Sequence, residues 1–379
     1  MTHAQVTQTR NTTGNDRLYI AFELSNTKWK LVFGNGIKTR RRAISAKNIH
    51  QLMDEIAKAK QRFKMNDDVP IYSCYEAGRD GFWLHRVLKK AGIHNIVVDS
   101  SSIEVNRRYR LKKTDRIDAG KLLTMLIRYI NGEQKLWSVL HIPTVEQEDA
   151  RRLNREMERL KKERTAHKNR IRSLLVLHGI DLKVGAKFLT KLEAAVQWDG
   201  EALPQRIKAE ILREHARLSL INEQLLALES ERKAILESGD RPAEIVFGLQ
   251  NLKGIGPVSA WILGFEYFGW RNFKNVKQVG AAAGLTPTPF NSGESEKEQG
   301  ISKAGNRRVR SVMIEVAWYW LRYQPQSRLS QWFKERFGPG GKRMRRVGIV
   351  ALARKLLVAL WKYLEQGLIP EGAKLKSLA

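Results

Sequence analysis

Ser292 stands between Asn291 and Gly293, and four cations, Lys303, Arg307, Arg308 and Arg310, follow it. A turn of this composition presents a bare hydroxyl, and guanidinium and ammonium groups beside it hold phosphate oxygens. The chemistry that combines them is phosphoryl transfer to serine, in which a positioned alcohol splits one displacement into two. A polar Ser-Gly turn ahead of a basic helix has the same spacing, so the serine does not decide the matter alone.

Four carboxylates form a second set. Glu23 closes a predicted strand over residues 18–22, and Glu76 follows another, over 69–75, in the sequence YEAG. Asp115 and Asp118 lie in KTDRIDA, on a predicted helix that continues through Leu122, Leu123, Leu126 and Ile127. Their spacing puts both on one helical face. Two strand-end acids and a helical pair supply the oxygen ligands that hard cations take, and paired Mg²⁺ ions promote in-line displacement at phosphorus. Taken singly, each acid reads as solvated surface. Lys112, Lys113 and Arg116 surround the helical pair, as a site facing a phosphate backbone requires.

The elements that position these residues fall into distinct textures. Residues 18–22, 28–33 and 38–44 read as a three-stranded meander, followed by a helix over 46–62, a strand over 69–75, a helix over 80–91 and a strand over 93–98. That is the order of an RNase H-like domain, shared in large part by other α/β folds. Residues 144–178 and 203–237 carry apolar residues at steps of three and four with charges between, predicting a helical hairpin or coiled coil that joins protomers. His167 falls on the seam and reads as a packed polar residue rather than a metal ligand. Residues 179–200 carry no clear pattern, and Gly239, Asp240 and Pro242 mark a boundary.

Beyond that boundary, LKGIGPVSAWIL looks like a helix-hairpin-helix element. Gly254 and Gly256 make its turn, Pro257 takes the first helical position, and the exposed amides bind a backbone phosphate without reading sequence. Residues 284–310 are poor in core residues and predict an exposed loop carrying function. A helix follows over 309–323, with Trp318 and Trp320 read as core, and Arg343, Arg345 and Arg346 precede a last helix over 347–364. The fold class is thus α/β plus all-α: a disordered tail over 1–16, an RNase H-like domain over 17–143, a helical linker over 144–238 and a mainly helical domain over 239–379.

Composition narrows the partners. In 379 residues, Lys plus Arg number 68 against 39 Asp plus Glu, a net charge of +29 that calls for a polyanion. Nucleic acid fits better than a membrane, because no apolar run spans a bilayer, no amphipathic anchor is visible and the polar start lacks a signal-peptide core. Cys74 is the sole cysteine, which excludes an internal disulfide and a cysteine-ligated zinc site and fits a reduced cytoplasm.

With YEAG, KTDRIDA, GLTP, NSG and GISKAGNRRVR in one order, the chain resembles the DEDD transposases of bacterial insertion sequences. This is insertion-sequence family one-ten, with its Piv-type invertases and bridge-RNA-guided recombinases, and the resemblance covers residues 18–364. It implies a RuvC-like N-terminal domain, a coiled-coil linker and a C-terminal transposase domain whose serine, here Ser292, attacks DNA. Glu76, Asp115 and Asp118 are by the same resemblance acids of a Mg²⁺ site. It further implies that a non-coding RNA of the element pairs with donor and target double-stranded DNA. The protein would be a homo-oligomer, dimer to tetramer, with sites built between protomers, working at the nucleoid in the bacterial cytoplasm. One departure stands out: the family's first acid is aspartate, and IAFELS carries Glu23, whose extra methylene moves the carboxylate by about 1.5 Å. A RuvC-like nuclease using metal-activated water, and a non-catalytic nucleic-acid-binding protein, remain the competing classes.

Overall fold

The computed structural model describes residues 17–103, 115–292 and 295–376, and for 101, 115–118, 289–292 and 295–299 the backbone alone. The expected tail over 1–16 and the cations Lys112 and Lys113 lie outside the described residues. The chain falls into two compact units, Met1–Ile142 and Pro143–Ala379.

In the first unit, β1 (Leu18–Glu23), β2 (Lys28–Gly34), β3 (Thr39–Ser45), β4 (Ile71–Glu76) and β5 (His94–Val98) form one sheet in the order β3-β2-β1-β4-β5. The β1–β2 and β2–β3 pairs are antiparallel, and β4 runs parallel to both β1 and β5. β1 is central and buried on both faces, which is why its sequence is a continuous apolar run rather than an alternating one. Leu18, Ile20 and Phe22 pack with Trp29, Leu31 and Phe33 beneath α1 (Ile49–Phe63) and α2 (Trp83–Lys90). Tyr19, Ala21, Val32 and Cys74 face the other way, onto Ala119, Leu122, Leu123 and Leu126 of α3 (Asp115–Ile130). α1 starts at Ile49 rather than at residue 46, because Lys47 is left-handed at φ 65° and the Asn48 side chain caps the helix by accepting from the Gln51 N–H. On the edge strand β3, Arg40 turns inward to Glu55 at 2.6 Å while Arg41 and Arg42 stay exposed, a charged border that deters strand addition.

The second unit opens with α4 (Val145–Asp149), held by a Thr144–Gln147 capping box, and continues into α5 (Arg152–Val176). α7 (Gln205–Glu237) runs back along α5, with Arg170–Glu210 at 3.8 Å, His167–Glu214 at 2.5 Å and Lys161–Glu229 at 3.9 Å marking an antiparallel pairing. Leu153, Met157, Leu160, Ile221 and Leu225 enter the main core of the unit. At the far end Ile171, Leu175, Ile211 and Leu218 meet Phe188 and Leu192 of α6 (Phe188–Glu193), so the segment without a sequence pattern supplies a small cap of its own. The seam is filled within one chain.

The remainder is α8 (Arg241–Gln250), α9 (Pro257–Leu263), a π-helical turn (Gly264–Phe268), α10 (Val276–Ala282), the strands β6 (Pro287–Ser292) and β7 (Ser295–Ile301), α11 (Arg307–Tyr323), α12 (Arg328–Phe337) and α13 (Lys342–Gln366). Asp240 and Pro242 serve as N-cap and first turn of α8, with the Ala243 N–H donating to Asp240 at 2.9 Å. α13 begins at Lys342, so Arg343, Arg345 and Arg346 lie inside it and do not precede it. A first turn crowded with cations opposes the helix dipole, which is why the pattern alone starts the helix later. The two tryptophans of α11 also part company. Trp320 is buried with its Nε1 donating to Ser327 at 2.9 Å, whereas Trp318, two residues away on the opposite face, is 47 % exposed and not core.

Candidate functional site

Ser292 is the last residue of β6, and the pair Ser292↔Ser295 closes a two-stranded hairpin. The stretch expected to be an open loop is therefore strand-paired from Pro287 to Ile301. Its sequences, PTPFNS and SEKEQGI, lack the apolar alternation that betrays a strand, so backbone pairing holds the hairpin and no side-chain pattern announces it. The foot is fixed tightly. Ser302 N–H donates to Thr286 O at 2.8 Å, Lys303 N–H to Gly284 O at 3.2 Å and Asn306 N–H to Ala282 O at 2.8 Å. Gly284 (φ 67°) and Gly305 (φ 113°) are left-handed where this foot is tightest, and a Cβ on either would run into the carbonyl of Ala304 or Ala282. Only glycine fits both positions.

The four cations divide by role. Arg310 Nη1 straps the foot, donating to Ala283 O at 3.3 Å and Lys303 O at 3.0 Å. Arg308 Nε pairs with Glu158 of α5 at 3.0 Å. Lys303 and Arg307 are exposed, with Arg307 opening α11 behind the N-cap Asn306, whose side chain accepts from the Arg308 and Val309 N–H groups. A guanidinium has five donors, so Arg308 and Arg310 keep capacity beyond these bonds.

In the other unit, the parallel pair Phe22↔Tyr75 brings Glu23 and Glu76 to neighbouring C-terminal strand ends. Strand alternation assigns both positions to the face of Tyr19, Ala21 and Cys74, the face that α3 covers. Glu23 is half-buried and Glu76 exposed. Asp115 opens α3, with Arg116 next and Asp118 one turn on, but their side chains lie outside the described residues. Among the described residues no group of three or more His, Cys, Asp or Glu gathers as a metal site. Carboxylate oxygens on adjacent strand ends are nevertheless a donor type that suits Mg²⁺.

Gly254 turns the chain at φ 91° between α8 and α9, and Gly256 is the N-cap ahead of Pro257 at the first helical position. The π-turn behind them holds the charged residue that sequence reading missed. Glu266 is fully buried, and Arg155 of α5 grips it with Nε at 2.6 Å and Nη2 at 2.7 Å, which holds the Arg155 pKa above its usual value. Arg271 donates to the Glu266 carbonyl at 2.8 Å while its guanidinium lies 3.8 Å from the Trp270 ring centroid. The available signal was a lone glutamate in the apolar run AWILGFEYFGW.

Residues 248–331, which hold this turn, the serine hairpin and α11, match the family described as "Transposase IS116/IS110/IS902 family". Over 378 residues the chain is 42 % identical to "Putative transposase y4rJ" of Sinorhizobium fredii, covering 95 % of each protein. The chain belongs to the IS116/IS110/IS902 transposase family. This transposase is also 29 % identical over 259 residues to the transposase for insertion sequence element IS1111A of Coxiella burnetii, with 66 % of each covered. The transposase for insertion sequence element IS1328 of Yersinia enterocolitica matches at 27 % over 228 residues, 60 % of this chain and 66 % of that one. No helix among the described residues is long and apolar enough to cross a membrane.

Proposed function

We propose that this transposase cuts and rejoins double-stranded DNA through a covalent bond to Ser292, in a site completed by Glu23, Glu76, Asp115 and Asp118. The observation that carries the proposal is the hairpin: a serine backbone held at the closed end of paired strands, with the foot braced by Arg310 and two obligatory glycines. A nucleophile needs that fixity, because small misplacements cost large factors in rate. The Ser292 Oγ bonds to phosphorus as the ester bond to the departing strand breaks. A carboxylate of the acid set accepts the serine proton, and the departing deoxyribose oxygen receives a proton in turn. Attack by a strand hydroxyl on the Ser292 phosphodiester then reverses the step and joins the new partner. Lys303 and Arg307 hold the flanking phosphates. When bound, Mg²⁺ supplies charge stabilisation at the phosphoryl oxygens.

The sheet order β3-β2-β1-β4-β5, antiparallel over its first three strands and parallel thereafter, supports reading the first unit as RuvC-like. The family resemblance implies a guide RNA that pairs with donor and target, and a net charge of +29 is compatible with holding it beside DNA. The lasting apolar exposure on α7 supports assembly of several copies, with sites shared between them.

The decisive experiment is a gel for DNA that migrates slowly until protease treatment, using whole transposase, its copurifying RNA and donor and target duplexes. Wild-type protein should give this adduct, and Ser292→Ala should give none while keeping its fold and RNA. Strand joining by Ser292→Ala near the wild-type level would move the nucleophile elsewhere, to Ser295 first. Cutting without any adduct under trapping conditions would instead support a nuclease that uses water.

A further inference from the structure

We propose that a groove between the Gly254 turn and α11 takes an unpaired base of single-stranded DNA, stacked on Tyr319 and Tyr323. The groove has a volume of about 490 Å³ and is lined by Lys253, Gly254, Val258, Glu315, Tyr319 and Tyr323. The two tyrosines are one helical turn apart on α11, 42 % and 49 % exposed, with ring centroids 6.3 Å apart and planes inclined by 28°. Two broad aromatic faces thus stand together at the surface, outside the core that takes Trp320 from the same helix.

The rim of the groove says what those faces meet. Lys253 and Lys376 are exposed at its edge, and the Arg322 guanidinium lies 5.5 Å from the Tyr323 ring centroid. Cations around aromatic rings favour a strand that brings phosphates and bases together. A duplex offers only base edges in its grooves, whereas an unpaired base offers a π-face, so the stacking partner is single-stranded. Glu315, exposed in the same groove, repels phosphate and can accept from a base N–H. The walls are fixed: Gln324 Nε2 donates to the carbonyls of Lys253 at 3.0 Å and Lys374 at 2.7 Å, pinning the turn to the end of α11. DNA rather than RNA is the occupant because strand exchange leaves unpaired DNA between cutting and rejoining. The inference rests on the chain being a DNA transposase, and it stands independently of Ser292 being the nucleophile.

The test uses the full-length transposase, a single-stranded oligo-dT and oligo-rU, and a duplex of equal length. Fluorescence anisotropy at fixed salt should show the double variant Tyr319→Ala, Tyr323→Ala binding oligo-dT about tenfold or more weakly than wild type, with duplex binding unchanged. The double variant Tyr319→Phe, Tyr323→Phe should retain wild-type affinity, since the ring and not the hydroxyl stacks. A 2-aminopurine placed in the oligo-dT should be quenched by wild type and the Phe variant and stay bright with the Ala variant. Unchanged oligo-dT affinity in the Ala variant would overturn the proposal. So would an equal loss for duplex, which would mark a general electrostatic surface or a folding defect, and so would a loss confined to oligo-rU, which would assign the groove to RNA.

Discussion

Arg155 and Glu266 are joined by two charge-assisted hydrogen bonds of 2.6 and 2.7 Å, with the carboxylate fully buried and the guanidinium side chain 34 % exposed. One residue belongs to the long helix α5, the other to the π-turn that follows α9. One turn along α5, Glu158 pairs with Arg308 in the first turn of α11. α5 is therefore tied by two ion pairs to the π-turn and to α11, the helix that follows the strands carrying Ser292. Arg155→Ala would strand a buried carboxylate and should lower unfolding stability by about 3 kcal/mol. Glu266→Gln in the Arg155→Ala background should recover part of that, because the isolated charge is gone. Urea denaturation of the four proteins in this cycle measures both effects. A loss under about 1 kcal/mol for Arg155→Ala would mean that solvent or Arg271 satisfies Glu266 instead.

Glu23→Asp should retain or raise strand-exchange activity, because aspartate keeps the carboxylate oxygens and shortens the reach by about 1.5 Å to that of the side chain the resemblance implies. Glu23→Gln should impair it and shift the Mg²⁺ dependence to higher concentration. Equal activity of the Gln variant across a Mg²⁺ titration would reduce Glu23 to a residue that merely ends β1.

Legibility followed the pattern of burial. The central strand β1 announced itself as an apolar run, and the paired positions of α5 and α7 as a repeat, because burial leaves a mark at fixed spacing. Glu23 and Glu76 could be listed from the sequence, but only the parallel register of β1 and β4 sets them at adjacent strand ends. The hairpin around Ser292 stayed hidden because polar, backbone-held strands carry no such spacing. The Glu266 pair was hidden for another reason. Its partner is 111 residues away, and no local pattern links two positions so far apart.

The helical pairing should be sensitive to acid through Glu214. Its pKa is held below the ordinary 4.5 by the hydrogen bond from His167 first, which outweighs the opposing effect of burial, with Arg217 and Arg170 adding to the depression. A carboxylate depressed in the folded state contributes stability that is complete above its unfolded pKa, about 4.5, and fades as pH falls through the lower folded value. Thermal unfolding of wild type and Glu214→Gln should therefore differ most at about pH 6 and converge at about pH 3. A constant difference across that range would show that the carboxylate charge contributes nothing to the pairing of α5 with α7.

Shared sites make the sharpest prediction about assembly. Asp115→Asn, Asp118→Asn protein and Ser292→Ala protein should each be inactive, yet coexpression should restore part of the activity, because some assemblies then unite an intact acid set with an intact serine. Coexpression is preferred to mixing because preformed assemblies need not exchange protomers. The proposed assembly needs a surface outside the α5–α7 seam, whose apolar residues pack within one chain. Leu225 is only 5 % exposed and belongs to the core of its own chain, so Leu225→Asp would unfold the protein rather than report on assembly. Leu220 and Leu226 of α7 are 55 % and 73 % exposed, and an aspartate at either has no buried contact to break. Leu220→Asp with Leu226→Asp should preserve the thermal unfolding midpoint, lower the mass of the assembly in solution and abolish rescue. If acid-site and serine variants that demonstrably coassemble give no activity, each chain builds its own site and the shared arrangement is wrong.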